Sequence, residues 1–189
     1  GYWNGVAHGA SIAVDGVCLT ITQVTGDEAA FDVIAETLRR TTLGELSSGD
    51  QVNLQKSLAA GDRVDGHFVQ GHVDAVGQVA RIEASEAESK WWFRASDGAM
   101  QYIIPKGSVA IDGISLTIAD VSGGLFSVAL IPTTLSRTTL GRKRIGESVN
   151  IETDILARTV IAHLRSLREP GADGEKAVTL ESLRRLGIV

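Results

Sequence analysis

The chain repeats itself. Ser11-Ile-Ala-Val-Asp15-Gly16-Val-Cys18-Leu-Thr20-Ile21 returns as Ser108-Val-Ala-Ile-Asp112-Gly113-Ile-Ser115-Leu-Thr117-Ile118, 97 residues on. Arg40-Thr-Thr-Leu-Gly44 recurs unchanged as Arg137-Thr-Thr-Leu-Gly141 at the same offset, and Val52-Asn53 is matched by Val149-Asn150. Three blocks in one register mark a duplicated domain of about 90 to 100 residues, well beyond the periods of about 20 to 50 found in solenoids. The 189 residues therefore divide into two small cores rather than one.

Each copy reads as β. Ser11 to Val14 and Val17 to Val24 are rich in β-branched residues and enclose Asp15-Gly16, a tight-turn dipeptide. The second copy does the same around Asp112-Gly113. Phe31 to Leu38 and Phe126 to Ile131 read as further strands, the Thr-Thr-Leu-Gly segments as turns, and Gln51 to Gln55 and Ser148 to Glu152 as closing strands. Gly71 to Ile82 and Lys90 to Ala95 add two strands to the second copy. Their counterparts fall before Gly1 (71 minus 97 is −26), so the repeat predicts about 25 to 30 further residues upstream and a first copy with unpaired sheet edges. Six short antiparallel strands per copy suit a small closed barrel. After them, Ile155, Thr159, Val160, His163, Leu164 and Leu167 fall at helical spacing, with Asp154 at the N-cap and a break at Pro170-Gly171. Thr179 to Leu186 suits a last short helix. The expected division is 1–66 for the first barrel, 67–154 for the second, and 155–189 for the helix and tail.

Composition excludes some functions. A net charge of −5 argues against nucleic acid, which is bound through accumulated Lys and Arg. No apolar run approaches a membrane span, and one cysteine permits no internal disulfide, so a cytoplasmic protein is expected. His67 and His72 invite a metal reading, but five-residue spacing on an extended strand puts them on opposite faces.

Val14-Asp-Gly-Val-Cys-Leu-Thr20, Glu36-Thr-Leu-Arg-Arg-Thr-Thr-Leu-Gly44, Gly66-His-Phe-Val-Gln-Gly-His72, Lys106 to Thr117, Leu130-Ile-Pro132 and Val149-Asn-Ile-Glu-Thr-Asp154 together resemble the alpha-chain type of riboflavin synthase. The resemblance implies an all-β fold of two six-stranded Greek-key barrels, the first incomplete here, followed by a C-terminal α-helix. It also implies a homotrimer held through that helix, with lumazine synthase as a further protein partner. The implied reaction is a dismutation in which two molecules of 6,7-dimethyl-8-ribityllumazine exchange a four-carbon unit. Its products are riboflavin and 5-amino-6-ribitylamino-pyrimidinedione. No metal and no organic cofactor is implied.

On the same resemblance Cys18, His72, Ser115 and Thr117 are the catalytic candidates, and Ser11, Thr20, Glu36, Thr37, Lys106, Ile131, Thr134 and Asp154 the substrate-binding ones. Their types suit the task. A ribityl chain needs hydrogen-bonding partners for its hydroxyls, and an imidazole can take a proton from the acidic lumazine methyl group at neutral pH. Two rival readings stand beside individual residues: Cys18 as a small buried strand residue, and Asp154 as a helix cap. Two rival functions stand beside the enzyme. One is a non-catalytic lumazine-binding antenna protein, and the other a flavin-binding barrel of an oxidoreductase, for which the chain has no nicotinamide fingerprint.

Overall fold

In the computed structural model, residues 1–84, 89–168 and Arg184 are described. Residues Gly1–Arg158 form one compact unit, and Thr159–Val189 a second. Among its described residues the first unit holds ten strands: β1 (Ser11–Val14), β2 (Val17–Thr25), β3 (Glu28–Phe31), β4 (Leu54–Lys56), β5 (Ala75–Ala84), β6 (Ser89–Arg94), β7 (Ser108–Ile111), β8 (Ile114–Ser122), β9 (Leu125–Leu130) and β10 (Ser148–Thr153). Strands β5 to β10 close into a barrel in the order β10-β5-β6-β9-β8-β7, every pairing antiparallel. The first copy is an open sheet, β3-β2-β1-β4. This is the barrel's order with the two strands between β9 and β10 left out, so β3 and β4 are edges.

The repeat is kept in detail. Asp15 and Asp112 sit at φ 43° and 47°, and Gly16 and Gly113 at 76° and 79°, giving two hairpin turns with both central residues left-handed. Each hairpin is followed by a bulge at an equivalent place, between Ile21 and Gln23 and between Ile118 and Asp120. Alternation then sorts the side chains. Val17, Leu19 and Ile21 point into the first core with Ile12, Val14 and Leu43, and Phe93, Phe126, Val109, Ile111, Ile118 and Ile151 fill the closed barrel. Phe93 and Phe126 stack there with centroids 5.6 Å apart. Trp3 and Val6 pack on the smaller first core.

Two strand readings are corrected, the first being Gly71 to Asp74, which belong to the linker ahead of β5. Phe31 ends β3, and the segment read as strand to Leu38 is instead helix α1 (Ala35–Arg40). Glu36 pairs with Arg39 and Arg40 at helical spacing, a local preference that apolar content alone does not reveal. The equivalent helix in the second copy is α3 (Pro132–Arg137), after a short α2 (Asp97–Met100). The Thr-Thr-Leu-Gly turns are single 3-10 turns, Thr42–Glu45 and Thr139–Arg142. Helix α4 runs from Ile155 to Arg168, and Asp154 caps it by accepting the Leu156 N–H at 2.9 Å. The break at Pro170 and the helix expected over Thr179 to Leu186 lie outside the described residues, Arg184 apart.

The two copies meet at a pseudo-twofold seam. Asn150 donates to the Asp15 carbonyl at 2.8 Å and accepts the Thr42 N–H at 2.8 Å. Reciprocally, Asn53 donates to the Asp112 carbonyl at 3.1 Å and accepts the Thr139 N–H at 2.9 Å. Gly16 and Gly113 touch backbone to backbone, and a Cβ on either would fall within 2.5 to 2.8 Å of the other's nitrogen. The Val-Asn blocks and Asp-Gly turns of the repeat are thus the joint itself.

Candidate active site

The repeated strands carry a repeated polar face. In β1 and β2, Ser11 lies opposite Thr20 and Ala13 opposite Cys18. In β7 and β8, Ser108 lies opposite Thr117 and Ala110 opposite Ser115. Because inward positions are taken by the core residues, Cys18, Thr20, Ser115 and Thr117 turn outward, and the Cys18 thiol is exposed rather than buried. Ser108 is absent from the sequence-based site, although it stands 97 residues after Ser11 and the same offset identifies it.

The linker between the copies lies over both faces. It contains two Gly-His pairs five residues apart, Gly66-His67 and Gly71-His72. Gly66 packs on Ser115, where a Cβ would come within 2.5 Å of Oγ. Gly71 packs on Cys18, where a Cβ would come within 2.6 Å of the cysteine's own Cβ, and its carbonyl accepts the Cys18 N–H at 2.9 Å. Both glycines are needed for close approach, and Gly71 also has φ 79°. The two residues where the copies exchange thiol for hydroxyl are therefore met by equivalent elements of one linker.

Glu152, buried at the end of β10, anchors the linker by accepting the N–H groups of Gln70, Gly71 and His72 at 2.7, 2.9 and 3.1 Å. Glu152 is absent from the sequence-based site although it lies inside the Val149 to Asp154 block, because its partners are backbone N–H groups some 80 residues away. Next to it, Asp74 accepts from Thr153 and pairs with Arg158. His72 lines a cavity of about 250 Å³ with Asp74, Glu152 and Arg158. A larger cavity of about 620 Å³ lies over the seam, lined by Asp15, Thr42, Thr139 and Lys143, and touches none of the candidate site residues.

His67 is tied to the second face. Its Nδ1 stands 2.7 Å from Ser115 Oγ. Burial holds its pKa below the ordinary histidine value, opposed by the charges of Asp154 and Glu152. Ser115 and His67 are thus joined by a hydrogen bond, and the charges of Asp154 and Glu152 act on the His67 ring.

Lys106 is unusual in its backbone. It adopts φ 65°, a left-handed conformation costly for a residue with a Cβ. Its counterpart 97 residues earlier is Gly9, at φ 83°, and both donate to the equivalent carbonyl, Ile118 and Ile21, at 2.8 and 2.9 Å. The second copy keeps a lysine where glycine is the relaxed choice.

Among the described residues, the remaining candidates flank the two faces in sequence without being joined to them by hydrogen bonds. Glu36 is exposed and held by Arg39 and Arg40, which lower its pKa. Thr37 and Thr134, equivalent and half-buried, offer their carbonyls to the hydroxyls of Thr41 and Thr138 at 2.7 Å each. Ile131 is exposed at the start of α3.

Two like sheet faces, one of them on a closed barrel, are spanned by one linker in a duplicated β domain, and the family model for the lumazine binding domain matches residues 3–56 and 70–154, one match per copy. Riboflavin synthase of Actinobacillus pleuropneumoniae is 43% identical over 182 residues, covering 95% of this chain and 83% of that protein. Riboflavin synthase of Escherichia coli is 41% identical over 179 residues, covering 90% and 84%. That of Chlamydia pneumoniae is 48% identical over 166 residues, covering 87% and 81%. The crystal structure of LumP complexed with 6,7-dimethyl-8-(1'-D-ribityl) lumazine superposes with a TM-score of 0.72 at 25% identity, covering 80% of this chain and 81% of that one. The complex of LumP with riboflavin also gives 0.72, at 28% identity over 80% and 82%. The chain belongs to the riboflavin synthase family.

Proposed function

We propose that this chain catalyses the dismutation of two 6,7-dimethyl-8-ribityllumazine molecules to riboflavin and 5-amino-6-ribitylamino-pyrimidinedione. The carrying observation is the matched pair of outward faces, Ser11–Thr20 with Cys18 and Ser108–Thr117 with Ser115, in a family member. A reaction with two identical substrates needs two like sites, and holding both rings in contact lowers the barrier by up to about 7 to 11 kcal/mol for ideal orientation. The antenna alternative is less favoured, because identity to the synthases is 41% to 48% and to LumP 25% to 28%.

In this reading Ser115 and Thr117 meet one lumazine ring near its reacting carbons, and Cys18 and Thr20 meet the other. His72, exposed beside the 250 Å³ cavity, accepts the proton of the methyl group. Lys106 and Ile131 flank the ring at the second face. Ser11, Glu36 and Thr37 at the first face, with Thr134 and Asp154 at the second, take the ribityl hydroxyls. The facing sites come from different subunits of a trimer joined through α4, whose Leu156, Val160, Leu164 and Leu167 form an exposed apolar stripe. We place the reaction in the cytoplasm, where one free cysteine is at home.

The test is conversion of the lumazine to riboflavin, followed by absorbance, with and without EDTA. Turnover unchanged by EDTA is expected. Ser115→Ala and His72→Ala should lose turnover while keeping the wild-type unfolding midpoint. Absent turnover, sensitivity to EDTA, or wild-type rates in both variants would overturn the assignment.

A further inference from the structure

His72 is the histidine the reaction reading uses, yet it is His67 whose ring contacts one of the two exchanged residues. Four observations bear on it. Its Nδ1 lies 2.7 Å from Ser115 Oγ. Gly66 beside it has no Cβ to keep the backbone off that hydroxyl. Its Nε2 is buried and has no hydrogen-bond partner among the described residues. Finally, the linker sets Gly66-His67 on Ser115 as it sets Gly71-His72 on Cys18, so His67 is the second face's counterpart of His72.

We propose that His67 is the positioning residue for Ser115, donating its Nδ1–H to Ser115 Oγ and so freeing the serine O–H to donate to a ring bound at the second face. The direction follows from Nε2. A neutral imidazole carries one N–H, and burial keeps this ring neutral against the opposing charges of Glu152 on β10 and Asp154 at the head of α4. A proton on Nε2 would leave a buried N–H donor without a partner, which is rarer and costlier than a bare acceptor. The proton therefore belongs on Nδ1. Oγ then accepts from the histidine, and its one hydrogen is left for the ligand. Sequence spacing shows none of this, because the contact spans residues 67 and 115 and exists only once the linker lies across β8.

The inference rests on the reading that Ser115 meets the bound ring, and two measurements separate the two. The first is turnover of the full chain with 6,7-dimethyl-8-ribityllumazine. In His67→Asn the amide nitrogen stands where Nδ1 stood, so this variant should stay within about threefold of wild type, whereas His67→Gln and His67→Ala should fall about tenfold in kcat, the worth of one hydrogen bond. The double variant His67→Ala/Ser115→Ala should be no slower than Ser115→Ala alone. Wild-type kcat in His67→Ala, a rescue by Gln rather than Asn, or additive losses in the double variant would overturn the proposal. The second is nitrogen NMR of the histidine rings without substrate. The Nδ1-protonated tautomer is expected for His67, with its resonances shifted by Ser115→Ala and those of His72 unmoved. An Nε2-protonated His67, or one indifferent to Ser115→Ala, would overturn the proposal even if the wild-type chain turned over normally. If wild type gave no turnover, the reaction reading would fail while this measurement still decided the hydrogen bond.

Discussion

Asp112→Asn should remove a pH dependence of folding that one buried carboxylate creates. The side chain is almost wholly buried at the seam. Oδ1 accepts the Asn150 N–H at 2.7 Å, but Oδ2 has no hydrogen bond, and the Lys143 ammonium stands 3.7 Å away. Burial raises the pKa from 3.8 to about 7, with Lys143 and the Asn150 N–H working against it and the Asp15 charge with it. The shift is about 3 units, worth about 4 kcal/mol at about 1.4 kcal/mol per unit. Its sign follows from proton counting. Between the two pKa values the folded state binds the proton more tightly than the unfolded chain does, so the stabilisation is full below about pH 4 and is lost as pH rises to about 7. Asparagine keeps the acceptor toward Asn150, tolerates the left-handed turn, and never ionises. Urea unfolding across about pH 4 to 8 should therefore show the variant matching wild type at the acid end and exceeding it by up to about 4 kcal/mol at pH 8. Parallel stability curves for the two proteins would refute the reasoning.

Asn150→Ala strands the Thr42 N–H and the Asp15 carbonyl at a buried place and should cost about 2 to 4 kcal/mol by urea unfolding. Asn53→Ala, at the half-buried equivalent, should cost less. Gly71→Ala combines φ 79° with a Cβ driven against Cys18, so stability should drop by about 2 kcal/mol or more. Fluorescence titration of that variant with 6,7-dimethyl-8-ribityllumazine should show weakened binding, and undiminished affinity would count against a ligand at the Cys18 face. Glu152→Gln keeps the shape but puts a donor NH2 where one accepting oxygen stood, so at least one of the three hydrogen bonds to the linker is lost and the others lose their charge; it should raise amide exchange at Gln70, Gly71 and His72 without unfolding the barrel.

Much of the fold could be read in advance because its determinants are local. Asp-Gly at Asp15-Gly16 and Asp112-Gly113 dictates a tight turn wherever it stands between apolar strands, and alternation after the turn places Cys18 and Ser115 outward. The short helix α1 was hidden because six residues give too little periodicity to outweigh a strand-like composition, and its ion pairs are visible only once its limits are known. In the site, the repeat register pairs Cys18 with Ser115 and Ser11 with Ser108 alike, yet only Ser11 of the second pair stands among the sequence-based site residues. Asn53 and Asn150 stood out as repeated residues without a role, since a side chain that bonds across to the other copy has no sequence neighbour to betray it.

What the sequence determined by itself is the duplication, the two strand-turn-strand faces and the residue types on them, because turn chemistry and side-chain alternation act over a few positions. What only the tertiary structure decided is how those faces are served. Gly66 and Gly71 of the linker lie on Ser115 and Cys18, Glu152 holds the linker from a strand some 80 residues away, and His67 rather than His72 reaches the serine. Such contacts depend on where a long connection settles after both sheets have formed. Their energies come from burial and geometry that no local stretch of sequence contains.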